Sequence, residues 1–221
     1  MTTTGDINLA MVKQVAESFV YLLREVAFLG GATTGLLITD KAAPEVRPTN
    51  DVDVIIEILS RSDYYKLEDN LHSLGFKQSM ESDDPLCRWI INDIKVDVMP
   101  ADEAILGFSN KWYSPAIKNA SKIYLENKIE IKIVTAPYFL ATKIEAFEGR
   151  GKGDFIASYD MEDIVAVIDG RTELMEELET SEQELKNFLA KNLNISSKQI
   201  HFLKLFQGSF HLIQSVRPEK A

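Results

Sequence analysis

Asp51 and Asp53 stand two apart in Asp51-Val52-Asp53-Val54-Ile55-Ile56-Glu57-Ile58, a β-branched segment that predicts a strand. On a strand this spacing puts both carboxylates on one face and gives Val52, Val54, Ile56 and Ile58 to the other. Two carboxylates held side by side repel unless a cation lies between them, and aspartate is a hard oxygen ligand of the kind Mg²⁺ prefers. The pair opens its strand next to a polar loop, where a site would be open to solvent. A solvated strand end presents the same pattern, so the pair alone does not establish metal chemistry. Asp97 adds a third carboxylate. In Ile94–Met99 the apolar Ile94, Val96 and Val98 alternate with Lys95, Asp97 and Met99. An aspartate flanked by valines in a central strand is costly to bury unless it is paired or metal-bound. An outward-facing position on a half-exposed sheet is the alternative.

A second group of residues suits phosphate. Gly30-Gly31-Ala32-Thr33-Thr34 follows the short apolar run Val26–Leu29. A glycine pair between a strand and a helix lets the backbone turn sharply and aim N–H groups at an anion, and Thr33 and Thr34 add hydroxyl donors. A tight turn with no ligand has the same appearance. Between Gly107 and Gly153 eight basic residues face four acidic ones, a local +4 in a chain of net charge -10. Lys143 and Arg150 belong to this basic region, as does Lys152 in Gly149-Arg150-Gly151-Lys152-Gly153. Trp112 and Tyr113 lie inside it and offer rings that either stack on a base or pack in the core. His72, His201 and His211 are scattered, with no ligand spacing.

Taken together, Phe28-Leu29-Gly30-Gly31, then Arg47-Pro48-Thr49-Asn50-Asp51-Val52-Asp53, then an isolated strand Asp97, resembles the DNA polymerase β-like nucleotidyltransferase superfamily. Lys143-Ile144-Glu145-Ala146-Phe147, Arg150 and Asp160-Met161-Glu162-Asp163 look like the signatures of the AbiEii-type nucleotidyltransferase toxins. The likeness covers residues 26–170. It implies an α/β (α+β) fold with a mixed sheet flanked by helices, followed by a helical C-terminal region. It implies Mg²⁺ or Mn²⁺ on Asp51, Asp53 and Asp97, with Asp97 near the acceptor. Gly30, Gly31, Thr33, Thr34, Arg47, Thr49, Lys143, Arg150 and Asp163 would surround the nucleotide. The implied reaction moves a nucleoside monophosphate from a nucleoside triphosphate to a hydroxyl on RNA, protein or a small molecule, and a toxin would have an antitoxin partner. A domain that keeps the fold and only binds a nucleotide or a partner is the competing expectation.

The elements that must position these residues are legible from periodicity. Val12, Val15, Ala16, Phe19, Leu22 and Leu23 predict an amphipathic helix over 8–26. A strand over 26–29 and a short helix over 32–37 follow, and Pro44 and Pro48 mark 39–49 as loop. Ser60 or Ser62 caps a helix that Gly75 ends. Residues 76–80 read as an edge strand, and 88–92 with 94–99 as a hairpin turning at Asn92-Asp93. A second hairpin joins 122–125 to 129–134. Pro137 starts a helix to Phe147, the glycine-rich loop interrupts, and a helix over 160–169, with Asp160 as its cap, ends at Gly170. Further helices are expected over 172–179, 181–191 and 196–206. The organisation is an α/β region over 1–135 and a helical region over 136–221 packed on it.

The 221 residues are 45% hydrophobic and 26% charged, which argues for a packed core and against disorder. With 34 acidic residues against 24 basic ones, the surface as a whole would repel a nucleic-acid backbone, leaving room only for a locally positive phosphate site. The single Cys87 excludes an internal disulfide and a multi-cysteine zinc site. Residues 1–10 do not read as a secretory signal, and no run approaches the roughly 18 apolar residues that cross a bilayer. The expected compartment is the cytoplasm.

Overall fold

The computed structural model of the chain describes residues 4–150 and 158–193. Helix α1 (Thr4–Phe19) buries Val12, Val15, Ala16 and Phe19, the stripe its period predicts. It stops earlier than the sequence suggests. Val20 turns to φ +48°, and a 3-10 turn over Val20–Arg24 carries Leu22 into the core before strand β1 (Val26–Leu29). After Gly30 a 3-10 turn leads into the short α2 (Thr34–Leu37), and a loop runs to β2 (Asp51–Ile56).

Helix α3 (Arg61–Ser73) is capped by Ser60, whose hydroxyl accepts from the Asp63 amide, and Gly75 leaves it at φ +89°. Strand β3 (Lys77–Gln78) is short. Strands β4 (Arg88–Ile91) and β5 (Ile94–Pro100) form the expected hairpin, with positive φ at both Asn92 and Asp93. Helices α4 (Glu103–Leu106) and α5 (Tyr113–Lys118) precede the second hairpin, β6 (Ser121–Tyr124) and β7 (Glu130–Ile133). Four helices follow: α6 (Ala136–Arg150), α7 (Tyr159–Gly170), α8 (Leu174–Thr180) and α9 (Gln183–Asn192). Gly149 and Arg150 close α6 rather than opening a loop, and the rest of the glycine-rich segment lies outside the described residues, as does the helix expected over 196–206.

The seven strands form one mixed sheet in the order β3-β4-β5-β2-β1-β7-β6. β2 runs antiparallel to β1 and parallel to β5, and β1 runs parallel to β7. Alternation along the strands divides the core between two faces. Val52, Val54, Ile56, Val96 and Val98 pack with α1 and α3. Ala27, Leu29, Ile55 and Ile133 pack on the other face with α5 to α9. Asp51, Asp53 and Asp97 alternate with the first set, so they stand on the second face, at the margin of the α6–α9 layer. Among the described residues no helix is long and apolar enough to cross a membrane.

Candidate active site

Strand register decides which acids meet. Asp53 pairs with Asp97 across the parallel β2–β5 ladder, and Asp51 lies two residues along on the same face. On the far side of Asp97, the β4–β5 hairpin places Arg88 opposite it. On the far side of Asp53, Leu29 is its partner in β1, and Gly30 is the next residue. The sheet therefore lines up Arg88, Asp97, Asp53 and the diglycine turn in one row.

Gly30 adopts φ +76° and ψ -170°, a region essentially reserved for glycine, and a methyl group there would overlap the Asp53 carboxylate. At Gly31 a methyl would come within 2.7 Å of the Arg47 guanidinium and 3.4 Å of Thr49 Oγ1. The diglycine thus lets Asp53 and Arg47 approach the backbone. Thr33 Oγ1 donates to the Gly30 carbonyl at 2.9 Å and closes this turn from within. Thr34 Oγ1 is buried with no hydrogen-bond partner among the described residues.

Arg88 links Asp97 and Asp51 from the β4 side of the row. Arg88 grips Asp97 with a two-pronged fork, Nε to Oδ1 at 2.7 Å and a terminal nitrogen to Oδ2 at 2.8 Å. The same nitrogen reaches Asp51 Oδ2 at 3.2 Å, and the other reaches Asp84 Oδ1 at 2.8 Å. Asp51 Oδ1 accepts from Thr49 Oγ1 at 2.8 Å. Hydrogen bonding to Asp97, which outweighs the effect of burial, raises the Arg88 pKa beyond its ordinary value. Asp84 is held to about 2, first by the Ser79 hydroxyl and then by Arg88 and Lys95. The neighbouring Cys87 thiol is pushed up to about 12 by burial and by the Asp97 charge.

A second cluster joins the sheet to the helices. Arg47 forks onto Asp163 of α7, with N···O distances of 2.9 and 2.8 Å, and its guanidinium lies 4.7 Å from the Tyr159 ring centre. Lys143 of α6 meets Asp163 Oδ2 at 2.7 Å and Asp160 Oδ1 at 3.1 Å. Asp163 is 1% exposed and Lys143 is 9% exposed. Burial opposes the charge on both cations. Hydrogen bonding with Asp163 for Arg47, and the charges of Asp163, Asp160 and Asp53 for Lys143, prevail and raise both pKa values. The buried Asn8 completes the support: its amide donates to the Arg47 carbonyl at 2.9 Å and its oxygen accepts from the Thr49 amide at 3.1 Å.

Most of the expected site residues converge here. Asp51, Asp53, Asp97, Gly30, Gly31, Arg47 and Thr49 form the row and its edge, and Lys143 and Asp163 stand against it. Asp163 carries two cations. Arg150 is the last residue of α6, and its side chain lies outside the described residues. One expectation changes, and two residues show their surroundings. The cap of α7 is Ser158, whose hydroxyl accepts from the Met161 amide at 3.3 Å, and Asp160 in the first turn instead pairs with Lys143. Trp112 is buried against Tyr138 and Phe188 and presents no face to a base. Asp97, expected to complete a three-carboxylate metal set, has both oxygens in the Arg88 fork. Among the described residues no group of three or more His, Cys, Asp or Glu is gathered to hold a metal ion. By chemistry and position, Asp51 and Asp53 fit a divalent cation at the half-exposed strand end, whereas Asp97 as it stands does not.

Arg88, Asp84 and Asn8 are the partners that sequence reading missed. Asn8 had a signal: it lies four residues before Val12 on the apolar stripe of α1, where a buried amide must find hydrogen bonds.

Comparison with solved structures bears on the fold. An antigenic nucleotidyltransferase-like protein from Paracoccidioides brasiliensis is similar over 89% of this chain and 92% of that one, at 22% identity and a TM-score of 0.54. The fold is a nucleotidyltransferase-like α/β fold. The antibiotic-resistance factor ANT(2'')-Ia is similar over 94% of this chain and 95% of that one, at 12% identity and a TM-score of 0.45. Its complex with adenylyl-2''-tobramycin covers 92% and 98%, at 14% identity and a TM-score of 0.40. No family model and no curated protein matches the sequence. In this nucleotidyltransferase fold the carboxylate row occupies β2 and β5, beside the turn that leaves β1.

Proposed function

We propose that the chain is a divalent-metal-dependent nucleotidyltransferase that moves a nucleoside monophosphate from a nucleoside triphosphate to a hydroxyl acceptor. The observation that carries this reading is the row itself: Asp53 beside Asp97 in register, Asp51 on the same face, and the Gly30-Gly31 turn adjoining them. Mg²⁺ or Mn²⁺, when bound at Asp51 and Asp53, supplies positive charge to the triphosphate and the departing pyrophosphate. Thr49 orients the Asp51 carboxylate through its 2.8 Å hydrogen bond. Lys143, charged despite its burial and close enough to feel Asp53, is the cation for the β- or γ-phosphate. Arg47 and the backbone of the diglycine turn line the same edge. Charge stabilisation by prepositioned groups carries most of the rate in such a reaction, with no covalent intermediate on the protein.

The AbiEii-like residues Lys143, Arg150 and Asp163 support a narrower version, in which the acceptor is RNA or protein and a neighbouring antitoxin restrains the activity. Growth arrest on expression, relieved by Asp51→Ala, is its expected outcome. A small-molecule hydroxyl remains the other acceptor class. The Arg88 fork favours one competing reading, a domain that binds nucleotide or a partner without turnover. Incubation with each labelled nucleoside triphosphate, Mg²⁺ and a total RNA and protein extract separates the two. Transfer of label by the parent, lost in Asp53→Asn with the melting temperature kept within a few degrees, supports catalysis. Binding without transfer supports the alternative, and equal transfer by Asp53→Asn refutes the carboxylate mechanism.

A further inference from the structure

We infer that Arg88 is the resident counter-cation of the third carboxylate: it withdraws Asp97 from the metal-binding set and confines a divalent ion to Asp51 and Asp53. The inference rests on the proposed divalent-ion function of the Asp51–Asp53 pair and concerns how that pair is selected.

Three features of the geometry support it. First, the fork engages both Asp97 oxygens at 2.7 and 2.8 Å, so a metal ion at either oxygen competes with a charge-assisted hydrogen bond for its electron density. Second, an ion on Asp97 would sit within about 5 Å of a guanidinium that does not deprotonate, and like charges at that range repel strongly in a partly dry site. The Arg88 and Asp97 side chains are only 16% and 11% exposed, which limits screening. Third, Arg88 is anchored from outside the row. Asp84 holds one terminal nitrogen at 2.8 Å and is itself fixed by Ser79 Oγ at 2.7 Å and Lys95 at 3.2 Å. The hairpin keeps the backbone of Arg88 directly across from Asp97. Its grip on Asp51 is longer, 3.2 Å to one oxygen, so Asp51 yields to an incoming ion more readily than Asp97.

The test is Mn²⁺ alone, titrated into the nucleotide-free full chain and followed by the electron paramagnetic resonance signal of the free ion. The expected ranking is specific. Asp53→Asn loses Mn²⁺ binding, whereas Asp97→Asn, which removes no metal ligand but leaves the Arg88 charge less neutralised, weakens it several-fold without abolishing it. Arg88→Met raises the affinity at least about tenfold by freeing a carboxylate and removing a positive charge, and Asp97→Asn in that background cancels the gain. Arg88→Lys, which keeps the charge without the fork, falls between them. A merely structural arginine would give a loss on removal rather than an Asp97-dependent gain. If Arg88→Met does not fold, the comparison of Asp97→Asn with Asp53→Asn decides the matter. Equal weakening by those two overturns the role of Arg88 while leaving the divalent-ion reading intact. Absence of Mn²⁺ binding in every form, the parent included, overturns the divalent-ion reading itself, and the inference falls with it.

Discussion

Replacing Asp163 with alanine removes the one carboxylate shared by two buried cations. Its side chain is 1% exposed, against 15% for Arg47 and 11% for Lys143, so little water reaches the site to take its place. Three short contacts are lost, the Arg47 pair at 2.9 and 2.8 Å and the Lys143 contact at 2.7 Å. Breaking a buried ion pair by deleting one partner costs about 3–5 kcal/mol, because the survivors stay desolvated and unpaired. Lys143 keeps Asp160 at 3.1 Å while Arg47 loses its whole fork, so the middle of that range is expected. At roughly 2–4 °C per kcal/mol for a chain of this size, the melting temperature should fall by about 10 °C or more. Asp163→Asn keeps the shape and one acceptor and should lose less. The assay is urea and thermal unfolding of the single variants together with Asp163→Ala/Lys143→Met. Removing the neighbouring Lys143 charge should recover about 1–3 kcal/mol relative to additivity. Destabilisation by less than about 1 kcal/mol, or simple additivity in the double variant, would refute the view of Asp163 as the joint between the loop before β2 and helices α6 and α7.

Three further outcomes are expected. Gly30→Ala should destabilise by roughly 2–5 kcal/mol, from a backbone region closed to alanine and from overlap with the Asp53 carboxylate, and it should impair any transfer reaction more than Gly149→Ala does; equal melting curves would contradict it. Cys87, with its thiol pushed up to about 12 by burial and the Asp97 charge, should resist a thiol reagent at pH 8 in the folded protein and react fully in urea. Asp84, depressed to about 2 by the Ser79 hydroxyl, Arg88 and Lys95, contributes stability that is fully present above the ordinary carboxylate range. That contribution is lost as the pH falls through about 2, so Ser79→Ala should move the acid-unfolding midpoint upward.

The elements carrying the site were legible because each obeys a local rule. β2 shows as a β-branched run, the β4–β5 hairpin turns on Asn92-Asp93, α1 follows its apolar period, and Gly170 ends α7. Local rules also put Asp51 and Asp53 on one face, since strand side chains alternate with a period of two. Even the partner of Asp97 was within reach. A two-residue turn at 92–93 pairs Ile91 with Ile94 and, three steps further out, Arg88 with Asp97. The end of α1 at Phe19 and the Ser158 cap were not legible in this way, because competing local signals were resolved by packing.

What the amino-acid order determined alone was composition, periodicity and the two motifs, and through them the class of fold. Tertiary structure decided the rest. Only the parallel pairing of β2 with β5 brings Asp97 to Asp53 across 44 residues, and only the packing of α6 and α7 brings Lys143 and Asp163 to Arg47. The hairpin gives Arg88 to Asp97, but only the pairing of β2 with β5 brings Asp51 within reach of the same guanidinium. Charge interactions act through space at a few ångströms, so sequence spacing shows them only where a local turn fixes the register.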